Sequence, residues 1–109
     1  MINQEQQDLY GCQAEVIKAV AHPVRIAIVD FLRGREQCVC DIVTHVGAER
    51  SNVSRHLAVM VNAGVLSFRK EGLKVIYRLE TCCMLEFLEC VARVVEQRNA
   101  RGQRLSRAV

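Results

Sequence analysis

Two cysteines with one residue between them, Cys38 and Cys40 in "EQCVCDIV", stand shortly before a basic, serine- and asparagine-rich run, "SNVSRHL". Thiolates are soft ligands, and they select soft ions: Zn(II), Cd(II), Pb(II), Cu(I), and trivalent arsenic or antimony. On an ideal helix, residues two apart point roughly 200° away from each other. Cys38 and Cys40 therefore hold one ion together only if Cys38 lies before the helix or the first turn opens. Four more cysteines are available: Cys12, the adjacent pair Cys82 and Cys83, and Cys90. Cys90 lies seven residues beyond Cys83 on the same helical face, about 10.5 Å along the axis. That is too far to share an ion, so core packing is its expected role.

The second run has the chemistry of a nucleic-acid reader. Asn52 can bridge two edges of an adenine and Arg55 can reach a guanine, while Ser51 and Ser54 are short enough to let backbone approach phosphate. Free N–H groups at a helix start add an anion site. His56 has two readings, a DNA contact or a partly buried helix residue. Further on, "RKEGLK" offers Arg69, Lys70 and Lys74 to hold phosphates rather than to read bases. Any one of these residues alone is an ordinary solvated side chain. Their grouping is what points to DNA.

The elements that must position them follow from pattern. The 109 residues make one domain's core, half of them are apolar, and the five aromatics include no Trp, so aliphatic helix packing is expected. The net charge of +3 is uneven: −2 over residues 1–48, +4 over 49–78 and +1 over 79–109. Local basicity is the electrostatic footprint of a nucleic-acid binder. No apolar run reaches the roughly 18 residues that a bilayer requires, and "MINQEQQDLYG" lacks the form of a signal peptide. A cytoplasmic location with no membrane partner is expected, where six cysteines are ligands, redox thiols or small buried groups rather than a disulfide framework.

The periodicity predicts a helix over 4–20 and a second opened by Pro23 and ended by Gly34. A short helix, "CDIVTHV", then stops at Gly47, and a fourth runs from an N-cap at Ser51 to Ala63. "VLSFRKEGLKVIYRLE" alternates as a β-hairpin, and residues 81–97 return to helix, with more apolar surface than one small domain buries. The expected fold is mainly α: a winged helix-turn-helix with a two-stranded hairpin wing. It occupies residues 1–97, with 98–109 as a basic, flexible tail.

The segments "AVAHPVRIAIVDFL", "CVCDIV", "SNVSRHLAVMVNAGVL" and "RKEGLKVIYRL" resemble the ArsR/SmtB metal-sensing repressors across nearly all of residues 14–95. The resemblance implies a winged-helix homodimer joined through its first and last helices. It implies a repressor that binds double-stranded operator DNA and leaves it when an inducer binds. In the family's arsenic sensors a third cysteine often follows the C-V-C-D aspartate by two residues; here that position is Val43. A third sulfur has to come from elsewhere: from Cys12, as in family members that complete this site from a partner's N-terminal segment, or from Cys82 or Cys83. The family's zinc site on the last helix uses His and carboxylate ligands, yet residues 81–97 contain no His. The leading expectation is an As(III)- or Sb(III)-responsive repressor with no organic cofactor. Alternatives are a Cd(II) or Pb(II) sensor and a thiol-redox or sulfide-responsive repressor. An enzyme is not expected, because no cysteine is followed by a glycine-rich anion loop.

Overall fold

Asn3 starts the first helix through a reciprocal cap. Its side chain accepts from the Gln6 backbone N–H at 2.8 Å, and the Gln6 side chain accepts from the Asn3 N–H at 2.9 Å. From there the computed structural model, which describes the backbone of residues 1–108 and the side chains of residues 1–102, runs through five helices and three strands. These are α1 (Gln4–Val20), α2 (Pro23–Phe31), β1 (Gln37–Cys38), α3 (Val39–Val46), α4 (Arg50–Asn62), β2 (Leu66–Glu71), β3 (Lys74–Leu79) and α5 (Cys83–Ala108). His22 caps α2, its Nδ1 accepting from the Val24 N–H at 3.1 Å, with Pro23 at the first helical position.

The core is aliphatic, as the composition predicts. Ile28 and Val29 from α2, Leu32 at its C-cap, Ile42 from α3, and Val53, Leu57 and Met60 from α4 are buried together with Val20, Val65 and Leu66. On α4 the inward residues recur at intervals of three and four, which turns the remaining face outward. Between α3 and α4 the chain turns over Gly47, Ala48 and Glu49. Gly47 is left-handed at φ 74°, and its N–H is bonded to the Val43 carbonyl at 2.9 Å. The turn and its two flanking helices form the helix-turn-helix.

The winged helix-turn-helix is present, with three departures from the sequence expectation. The wing is not two-stranded: β1 joins it antiparallel, giving the order β1-β3-β2 with Gln37 opposite Tyr77 and Cys38 opposite Ile76. A two-residue strand has no periodicity to read, so only its partner reveals it. Helix α4 begins two residues earlier than a Ser51 cap allows. Glu49 holds the cap position without a side-chain cap bond, and Ser51 lies inside the first turn. The third departure is α5, which continues past Gln97 to Ala108 through a run without an apolar repeat, where arginine, alanine, glutamine and leucine are good helix formers and Asn99, Gly102 and Ser106 are not. Val109, the end of the expected tail, lies outside the described residues.

Candidate nucleic-acid interface and thiol site

Helix α4 carries Arg50 and Arg55 and no acid. Ser51, Asn52, Ser54 and Arg55 are all exposed, opposite the buried Val53, Leu57 and Met60. Asn52 and Arg55 are three residues apart and so share one face, as base-reading side chains on one helix must. His56 is different. It is half-buried, its ring centroid lies 4.4 Å from that of His22, and its Nδ1 accepts from Arg25 Nε at 3.0 Å. Arg25 also donates to the Lys18 carbonyl at 3.4 Å, so His56 is pinned to the α1–α2 layer. The hydrogen-bond pattern assigns an unprotonated Nδ1, which leaves the Nε2 proton as the donor of the neutral ring. Burial, then the neighbouring charges of His22, Arg25 and Arg55, hold the His56 pKa below its ordinary value.

The wing divides its cations into two groups. Lys70 and Lys74 are exposed and form no ion pair among the described residues. Arg69 is engaged on both sides, by Glu36 ahead of β1 and by Glu71 on its own strand. Arg78 bonds Glu80 at 3.1 Å and Ser67 at 3.1 Å. The hydrogen bond from Arg69 holds the Glu36 carboxyl below the usual range, and those from Ser67 and Arg78 do the same for Glu80.

Cys38 occupies the cap position of α3 in extended conformation, φ −77° and ψ 156°, and Cys40 sits in the first turn. The geometric condition set by their spacing is therefore met: Cys38 precedes the helix. The Cys38 thiol donates to Asp41 Oδ2 at 3.2 Å, and Arg50 donates to Cys40 Sγ at 3.8 Å. Arg50 is the first residue of α4, so the Cys40 thiol touches the start of that helix directly. Sequence reasoning passed over Arg50, although a signal existed. A cation at a helix N-terminus opposes the macrodipole and calls for an electron-rich partner.

The other cysteines lie elsewhere: Cys12 is exposed on α1, Cys82 and Cys83 are exposed at the start of α5, and Cys90 is exposed rather than packed in the core. That last placement corrects the core-packing expectation. Leu85 and Leu88 pack against the core, and Cys90 lies about 200° around α5 from Leu88, on the opposite, exposed face with Cys83. Among the described residues no three His, Cys, Asp or Glu side chains of one chain group as a metal site. His45 stacks on Phe31, ring centroids 4.1 Å apart, as a packing residue. No helix is long and apolar enough to cross a membrane among the described residues.

The model of the bacterial regulatory protein arsR family matches residues 22–67. The helix-turn-helix transcriptional regulator Rv0081 of Mycobacterium tuberculosis is 37% identical over 101 residues, spanning 88% of this chain and 89% of the relative. Its crystal structure superposes with a TM-score of 0.75 at 34% identity, covering 85% of this chain and 94% of that one. The arsenical resistance operon repressor of Staphylococcus xylosus is 28% identical over 88 residues, 81% of each chain. A homodimeric winged helix-turn-helix domain from Mycobacterium bovis, Mb0332, has a TM-score of 0.73 at 26% identity and covers 91% of each chain. A half-exposed α4 rich in serine and asparagine, a basic wing, and a match along nearly the whole chain agree on one kind of molecule. This chain belongs to the ArsR family of DNA-binding winged helix-turn-helix transcriptional regulators and is not an enzyme.

Proposed function

We propose that this protein is a homodimeric repressor that releases operator DNA when a soft metalloid, As(III) or Sb(III), binds Cys38, Cys40 and one further thiolate. The observation that carries the reading is the extended backbone of Cys38 directly before α3, which frees two neighbouring sulfurs from the opposed directions of a helix. The donor set fits the ion: trivalent arsenic takes three sulfurs, and thiolates are its preferred ligands. Cys12 of a second copy supplies the third. It is exposed on α1 one turn after Leu9, and exposed Leu9, Tyr10 and Ile17 give that helix an uncovered apolar surface suited to a partner chain. The Staphylococcus xylosus relative, a repressor of an arsenical resistance operon, supports the same inducer class.

Asn52 and Arg55 read bases in the major groove, and Ser51, Ser54, Lys70 and Lys74 contact the backbone. His56 contributes its Nε2 proton from the edge of that surface. The route from input to output is short. When Cys40 Sγ is taken up by an ion, its contact with Arg50 is lost and the N-terminus of α4 is re-aimed. Arsenite titration of the reduced protein, followed by ultraviolet absorption, tests the site. The expected result is a sulfur-to-arsenic charge-transfer band saturating at one ion per thiol trio, abolished in Cys38→Ser and in Cys40→Ser and weakened in Cys12→Ser. A band that persists in both Cys38→Ser and Cys40→Ser contradicts the site. A Cys12→Ser protein with an undiminished band, against a weakened one in Cys82→Ser or Cys83→Ser, moves the third ligand to α5. Tighter binding of Cd(II) than of As(III) replaces the inducer with the cadmium class, to which a Staphylococcus aureus relative, a cadmium resistance regulator, belongs.

A further inference from the structure

Arg69 stands at the centre of the DNA-facing wing, yet its guanidinium is spent on carboxylates. The strand register explains how. Arg69 on β2 lies opposite Ile76 on β3, and Ile76 lies opposite Cys38 on β1, so these three occupy one cross-strand row. Glu36 is two residues before Cys38, immediately ahead of β1, and its carboxylate meets Arg69 across the central strand. Glu71 holds the other side of the same guanidinium. Both partners of the Arg69–Glu36 pair remain substantially exposed, at 50% and 39%, so a phosphate can reach the arginine and compete for it. The pair is long-range in sequence, and it depends on the short β1–β3 pairing that also places Cys38.

We infer that Glu36 is a built-in competitor of the DNA backbone: it withholds Arg69 from phosphate, and strand β1 sets the strength of that hold. Glu36 is thus a positioning residue that acts on DNA through Arg69. The inference rests on the DNA-binding reading of the wing. Because β1 carries both the hold on Arg69 and Cys38, a change of backbone at the thiol site alters how firmly the wing arginine is retained.

The test is a double-mutant cycle read by fluorescence anisotropy on a duplex selected from a random library by the wild-type protein, repeated over a range of KCl concentrations. Freeing one arginine for one phosphate steepens the dependence of log K on log[salt] by about one and tightens binding about fivefold near physiological salt. Glu36→Gln is expected to show both changes. Glu36→Asp, which keeps the charge, is expected to stay near the wild type. In an Arg69→Gln background the gain from Glu36→Gln is expected to vanish, because the arginine it frees is gone. Unchanged affinity and slope in Glu36→Gln overturn the inference. So does a gain that survives Arg69→Gln, which marks plain removal of a repelling charge. Melting curves matched to the wild type establish that the variants are folded. A wild type that selects no duplex overturns the DNA-binding reading itself, and the competitor role with it.

Discussion

His56 is a half-buried side chain held by an interior contact. Its Nδ1 accepts from Arg25, and its neutral form is favoured by burial and by the positive neighbours His22, Arg25 and Arg55. An unfolded histidine takes up its proton near 6.5, the folded one only at lower pH. Between those values the unfolded state binds more protons, so this residue's stabilisation is complete above about pH 6.5 and is lost as pH falls below it. Thermal melts from about pH 7.5 down to about pH 5.5 should show the wild type losing more stability than His56→Asn, which keeps an acceptor for Arg25 but cannot titrate. Equal pH dependence in the two proteins would show that His56 does not set it. At this scale the sequence was informative about identity and poor about partners. The exposed face of Asn52 and Arg55 follows from spacing to Val53 and Leu57. The bonds Arg25–His56, Arg50–Cys40 and Glu36–Arg69 join residues 31, 10 and 33 positions apart, and spacing along one helix cannot reveal them.

At the scale of elements, the helix-turn-helix is held by the inward face of α4 and by the turns on either side of it. Leu57 is fully buried in the core, so Leu57→Ala should cost about 2–5 kcal/mol in denaturant unfolding through lost burial and a residual cavity. Gly64 ends α4 at φ 85° with open space around a would-be Cβ. Gly64→Ala should therefore cost only the backbone strain of a left-handed alanine, about 1–2 kcal/mol. A Gly64→Ala loss as large as that of Leu57→Ala would mean that this turn is coupled to the core in a way the packing does not show. The helices were legible because burial on one side imprints a 3.6-residue period, and the hairpin because its alternation has period two. Strand β1 was not, since it is two residues long and exists only through its pairing with β3. The cap of α4 was missed for a related reason: Ser51 is the stronger capping type, but tertiary packing of α3 against α4 starts the helix at Arg50 behind an uncapped Glu49.

For the whole molecule, the uncovered faces of α1 and α5 matter most. Phe87, Val91, Val94 and Val95 on α5 and Leu9, Tyr10 and Ile17 on α1 are exposed large hydrophobes, more than a single small domain ordinarily leaves open. Sedimentation should give a dimer for the wild type and a shift to monomer for a Val91→Glu, Val94→Glu double substitution, which places two charges on that face. A dimer that persists unchanged would place the interface elsewhere. Dimerisation also bears on the proposed switch, which draws its third thiolate from a second copy. The central claim is that Cys38 and Cys40 decide when α4 holds DNA. Its most direct test is anisotropy of a labelled, wild-type-selected duplex bound by reduced protein and titrated with arsenite. Release of DNA by the wild type, with Cys38→Ser and Cys40→Ser staying bound at the same arsenite concentrations, is the predicted result. Release by both serine variants as readily as by the wild type, or retention of DNA by a wild type saturated with arsenite, would contradict it.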